Sequence, residues 1–105
     1  MTKPRRAEPA QRKLKDLVSV GPAMVRDLRK LGVTSVDDLA RRKPESLYRE
    51  LCRVTRRRQD PCVLDTFRAA SAQAKDPELP MEYCVWWFWS RVRKGEVDAP
   101  RIRRR

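Results

Sequence analysis

Few side chains in this sequence could act as nucleophiles or metal ligands. There are three cysteines, Cys52, Cys62 and Cys84, and no histidine anywhere in the 105 residues. Cys62 stands out. It follows Asp60-Pro61, a good N-cap and first-position pair, so it falls in the first turn of a predicted helix. A helix N-terminus lowers a thiol pKa, and Arg56-Arg57-Arg58 lie just upstream. A reactive thiol or thiol sensor is the chemistry this placement could support. The commoner fate of a cysteine beside Val63 and Leu64 is a small buried hydrophobe. Cys52 and Cys84 each sit inside an apolar helical pattern. The spacing C-x9-C-x21-C matches no redox pair or zinc set, and an odd count offers no disulfide framework. No metal or cofactor is therefore expected, no residue is assigned as catalytic, and the chain reads as non-enzymatic. A reduced cytoplasm is the expected location.

Charge is the stronger signal. Lys and Arg total 26 against 14 Asp and Glu, a formal net charge of +12. That balance suits a polyanionic partner, nucleic acid foremost. The plainer alternative is that 19 of the 26 basic residues are Arg, which a GC-rich genome supplies without selection for binding. No stretch of ~18 apolar residues is present, so no membrane partner is expected, and the N-terminus lacks the apolar core of a signal peptide.

The charge must be positioned by helices, and the pattern is all-α. In Leu14 to Leu39, LKDLVSVGPAMVRDLRKLGVTSVDDL, Leu14, Leu17 and Val18 edge a short first helix, and a tight turn falls at Ser19-Val20-Gly21. Pro22 opens a second helix, along which Met24, Val25, Leu28 and Leu31 repeat at amphipathic spacing. Gly21 is expected to take positive φ or to approach another backbone closely. Gly32 fits a left-handed stop, and Thr34 or Ser35 can cap a third helix carrying Val36, Leu39 and Ala40. Pro44 opens a fourth, with Leu47, Tyr48, Leu51 and Val54 facing inward. Pro61 opens a fifth, with Leu64, Phe67, Ala70 or Ser71, and Ala74 on one face. A sixth runs from Met81 to about Lys94.

The stretch around Ser19-Val20-Gly21 resembles the helix-hairpin-helix motif of DNA-binding proteins. Val20 matches the apolar position between that motif's two glycines, Gly21 the second glycine, and Ser19 replaces the first. Val25 stands where the motif favours a small residue, and Ala23 and Met24 where it usually places a basic one. The resemblance implies that the turn's backbone N–H groups and the helix starting at Pro22 hold a DNA phosphate. Arg26, Arg29, Lys30, Lys13 and Lys15 would add longer-range contacts. Together the helices are expected to form a bundle of five or six containing a helix-hairpin-helix, sterile-alpha-motif-like module.

Five of the seven aromatic residues fall between Tyr83 and Trp89. Most are expected in the core, with Val85, Trp89 and Val92 as one stripe and Trp86 with Tyr83 as another. The four consecutive aromatics Trp86 to Trp89 nevertheless span a helix circumference, so at least one of them must face away from any single partner. An exposed Trp could stack on a base or bury itself in a partner interface. Residues 59 to 90 carry two basic against five acidic residues, a net of −3, so the basic surface belongs to the rest. The expected organisation is a disordered basic arm over 1–11, a helical domain over 12–94 and a basic tail over 95–105. Within the domain, 12–55 is the hairpin module and 60–94 a two-helix buttress.

The hairpin stretch, with RQDPCVLDTFR and YCVWWFWSRVRK, resembles the bacterial pathogenicity-locus helix-hairpin-helix family over roughly residues 12 to 94. Some members of that family are labelled mitomycin-resistance proteins. The resemblance implies a small helical protein with a link to DNA. Two functions are therefore expected in competition. One is largely sequence-independent binding of double-stranded DNA. The other is a protein–protein module using Trp86, Trp87 and Trp89 in a repair or stress setting.

Overall fold

The computed structural model describes residues 12–102, so the expectation of a disordered arm over 1–11 lies outside the described residues. Five α-helices follow a 3-10 turn at Leu14–Asp16: α1 Pro22–Lys30, α2 Val36–Ala40, α3 Pro44–Thr55, α4 Pro61–Lys75 and α5 Trp86–Arg93. A second 3-10 turn, Met81–Tyr83, precedes α5. The fold is all-α, and no strand occurs among the described residues.

Local chemistry sets most boundaries. Pro22, Pro44 and Pro61 each occupy the start of a helix, where the missing N–H is no loss. Ser35 Oγ accepts from the Asp38 N–H at 3.0 Å and caps α2; Asp60 Oδ1 accepts from the Cys62 N–H at 2.9 Å and caps α4. Helix α1 ends in a Schellman turn. Gly32 takes φ 81°, and the Val33 and Gly32 N–H groups donate to Leu28 O and Arg29 O at 2.9 and 3.0 Å. Helix α3 ends the same way but with Arg56 in the left-handed position at φ 56°.

Two expected helices are shorter than their apolar patterns. The first is one 3-10 turn, because the Asp16 carboxylate turns back to accept from the Lys13 N–H at 2.8 Å. The sixth is split, since the backbone at Val85 is extended and α5 begins only at Trp86. Val54, expected inside, is exposed near the end of α3.

Helix α4 is the centre of the molecule rather than a buttress at its edge. Nine of its fifteen residues are buried, among them Phe67, Ala69, Ala70, Ala72 and Ala74. Small side chains let neighbours approach it from several sides. Phe67, Ala70 and Ala74 pack against Leu14, Leu17, Val20, Leu28, Leu39, Leu47 and Leu51. Ala69 and Ala72 pack against Leu79, Cys84 and Trp89, with Ile102 of the C-terminal segment folded back onto the same cluster. The two cores thus share one helix as their wall.

Candidate nucleic-acid interface

The turn before α1 is held from behind. Gln73, buried on α4, accepts from the Val18 N–H through Oε1 at 2.9 Å. Its Nε2 donates to Val18 O at 2.8 Å, Ala69 O at 3.2 Å and Cys84 O at 3.3 Å. The Ser19 hydroxyl donates to Cys84 O at 3.3 Å and accepts from the Trp86 N–H at 3.2 Å. Val20 points into the core. The turn, α4 and the start of α5 are therefore one hydrogen-bonded unit.

Positive φ in the turn falls on Ser19, at 71°, and not on Gly21, which is extended at φ −93°. Nor does Gly21 face a close neighbour: a Cβ built there meets nothing within 4 Å. The expected role of Gly21 is corrected accordingly, since the reversal occurs two residues earlier. Gly21, Pro22 and Ala23 are exposed, and among the described residues the N–H groups of Gly21, Ala23 and Met24 have no acceptor. Those N–H groups form a donor set at the positive end of α1, with Gly21 and Ala23 exposed and Met24 half-buried.

The basic residues of α1 divide over two surfaces. Arg26 and Lys30 share an exposed stripe with Ala23 at i, i+3, i+7 spacing, running away from the turn. Lys30 lies 3.9 Å from Asp27, a loose exposed pair. Arg29 instead joins Lys13 and Lys15 along a groove of about 520 Å³, lined also by Arg12, Leu14, Val25, Thr34 and Ser35. Among the described residues no acid lines it directly, although Asp38 accepts from the Thr34 hydroxyl at 3.3 Å and Asp16 from the Lys13 N–H at 2.8 Å. The Arg12 guanidinium, unassigned by the sequence, donates to Gln73 O at 2.9 Å and Ala74 O at 3.4 Å, sitting at the negative end of α4.

The aromatic cluster is divided as well. Trp89 is buried, its Nε1 donating to Tyr83 O at 2.8 Å, with Phe88 edge-on at 5.6 Å. Trp86 is 36 % exposed and Trp87 57 %, their rings T-shaped at 6.2 Å. Trp87 lines a surface cleft with Met81, Tyr83, Phe88 and Arg91, whereas Trp86 lies at the junction with Ser19.

The expectation of a lowered Cys62 thiol pKa is reversed. The hydrogen bond to Asp60, followed by burial and the charges of Asp60 and Asp65, pushes it up from its usual value, and Arg93 opposes only weakly. Asp60 is itself held below the usual carboxylate value, first by the Cys62 backbone N–H. Among the described residues no three Cys, Asp or Glu side chains converge on a metal-sized site.

Sequence reasoning missed two groups. Asp65, fully buried on α4, accepts a forked pair of bonds from Arg93, which raises the guanidinium pKa. Nothing in DPCVLD distinguishes it from a surface acid. Gln73 did carry a signal, because it shares the helical face of Thr66 and Ala70 and is the one amide within an alanine-rich run.

These features define a small basic all-α protein with an exposed donor turn and no helix, among the described residues, long and apolar enough to cross a membrane. The chain belongs to the Pathogenicity locus family, whose model matches residues 7–95. It is also similar to the mitomycin resistance protein McrB of Streptomyces lavendulae, at 35 % identity over 82 residues, covering 77 % of this chain and 73 % of the relative. No solved structure matches.

Proposed function

We propose that this is a non-enzymatic nucleic-acid-binding protein, largely indifferent to sequence, that holds a DNA phosphate at the turn preceding α1. The observation that carries this reading is the N–H groups of exposed Gly21 and Ala23 and half-buried Met24, which have no acceptor among the described residues and lead into the Ala23–Arg26–Lys30 stripe. Lys13, Lys15 and Arg29 supply a second basic surface beside it. In this reading the turn and α1 act as a helix-hairpin-helix whose first helix has shrunk to a 3-10 turn. Phosphate contacts of this kind orient a protein on a backbone and carry no base information. The name of the Streptomyces lavendulae relative adds a drug-resistance setting.

The test uses the full chain. Gly21→Glu puts a carboxylate at the proposed phosphate position, and the open space around Gly21 lets the variant fold. Duplex binding should fall sharply in the variant. In the parent, log affinity should decline with log salt by roughly 0.9 per phosphate neutralised. A third chain with Arg103, Arg104 and Arg105 changed to Gln measures what the tail adds. Equal binding by the parent and Gly21→Glu rejects the reading.

A second reading rests on the cleft around Trp87. Met81 and Trp87 are both more than half exposed there, a composition suited to a protein partner. Loss of a partner on Trp87→Ala, with DNA binding intact, would support it.

A further inference from the structure

The backbone of Trp86 meets the turn through one hydroxyl. Ser19 Oγ accepts from the Trp86 backbone N–H at 3.2 Å and donates to Cys84 O at 3.3 Å, which ties the turn to the start of α5. Helix α5 is fixed further along by the buried Trp89, bonded to Tyr83 O at 2.8 Å, and by the Arg93–Asp65 fork at 3.0 and 3.1 Å. Trp87 limits the ring from the side, T-shaped at 6.2 Å. Trp86 thus sits at the start of a fixed helix with 36 % of its surface exposed, which lowers the ordering cost of using it. No core need explains it, since Cys84, Trp89 and Leu79 fill the adjacent cluster without it.

We propose that Trp86 is a stacking site for an unpaired nucleobase, placed so that the base sits on the indole while a neighbouring phosphate meets the turn. This rests on the phosphate reading above and deepens it by naming the form of nucleic acid. The charge supports nucleic acid as the occupant: the chain carries a formal net charge of +12, and the turn that meets Trp86 through Ser19 leads into a helix with Arg26 and Lys30 exposed. A fixed aromatic beside backbone donors and cations is the arrangement by which single strands are held without sequence preference. A closed duplex keeps its base faces stacked on one another and offers the indole nothing. The preferred substrate is therefore a single strand, or a duplex interrupted by a single-stranded gap.

The experiment compares the full chain with Trp86→Ala, Trp86→Phe and Gly21→Glu on three labelled probes: an oligothymidylate, a blunt duplex and a gapped duplex. Trp86→Ala should bind the oligothymidylate and the gapped duplex about tenfold more weakly, with the blunt duplex unchanged. Trp86→Phe should retain most of the affinity, and oligothymidylate should quench tryptophan emission in the parent more than in Trp86→Phe. If Trp86→Ala weakens all three probes equally, the residue only braces the turn and the proposal falls. If it weakens none, the indole belongs to a protein interface and the proposal also falls. A parent that binds no probe overturns both readings. Loss confined to the single-stranded probes in Trp86→Ala, with none in Gly21→Glu, keeps the stack and removes the phosphate site from the turn.

Discussion

The Arg93 guanidinium grips the Asp65 carboxylate with two parallel bonds, Nε to Oδ1 at 3.0 Å and Nη2 to Oδ2 at 3.1 Å, and Asp65 has no exposure at all. The acid lies on α4 and the base on the last turn of α5, so the pair fastens the aromatic helix to the centre of the fold. Arg93 keeps contact with solvent, so removing it strands the buried Asp65 carboxylate, whereas removing Asp65 leaves a guanidinium that water can reach. Arg93→Met should therefore lower the melting temperature by more than about 10 °C. The paired replacement Asp65→Leu with Arg93→Met should recover most of that loss, because no charge then remains inside. Thermal melts of the parent and the two variants decide the matter. A double variant no better than Arg93→Met would show that the fork contributes more than its own desolvation.

Gln73 makes a sharper prediction, because its Nε2 faces three carbonyl oxygens, those of Val18, Ala69 and Cys84. Gln73→Leu should destabilise by about 3 kcal/mol by leaving the Val18 N–H and these carbonyls unsatisfied. Gln73→Glu should be worse at neutral pH, since a carboxylate oxygen would then point at carbonyl oxygens. Its folded-state pKa must rise, so stability should return as the pH is lowered and the acid is protonated. Urea midpoints between pH 4 and 8 test the sign. A Gln73→Glu chain that gains stability with rising pH would contradict the geometry.

Arg56 holds a left-handed backbone, φ 56°, where the equivalent stops after α1 and α5 use Gly32 and Gly95 at 81° and 77°. Arg56→Gly should stabilise by about 1 kcal/mol, the left-handed penalty of a residue with a Cβ less the extra freedom glycine brings to the unfolded chain. The complementary change Ser35→Ala removes the cap of α2 and should cost about 1 kcal/mol. Both are read from urea midpoints at unchanged slope.

The Asp60–Cys62 pair sets opposite limits in pH. Asp60 is depressed when folded, so its contribution is present above the usual value of 3.8 and is lost as the pH falls through the lower folded value. The Cys62 thiol is raised, so its contribution is complete below the usual value of 9.0 and is lost as the pH rises through the higher folded one. Alkylation of Cys62 by iodoacetamide should consequently have a midpoint above pH 9.0. Asp60→Asn should move that midpoint down, and an upward movement would contradict the assigned cause.

Most of the helical frame was legible because its signals are local. Pro22, Pro44 and Pro61, the stop at Gly32 and the caps at Ser35 and Asp60 each act within four residues of chain, and each stands where the pattern placed it. What failed were inferences needing distant partners. The central position of α4 depends on helices arriving at Ala69, Ala70, Ala72 and Ala74 from both sides, and spacing within one helix shows only one face at a time. The thiol of Cys62 departs from the expectation because Asp60 is more than a cap: the carboxylate that accepts one N–H also acts on the sulfur. The family resemblance was legible and holds; the site's assembly was less so. Ser19 looked like a missing glycine, while its hydroxyl joins the turn to Trp86.

The bonds from Val18 to Gln73 span 55 residues of chain, and those from Ser19 to Cys84 and Trp86 span 65 and 67. A ribosome makes the turn early and its supports late. Until α4 and the start of α5 have been synthesised, the turn has neither its amide clamp nor its hydroxyl bridge. During synthesis the nascent N-terminal half therefore presents its basic residues on an unfinished frame. The turn is fully braced only once the chain through Trp86 has been made.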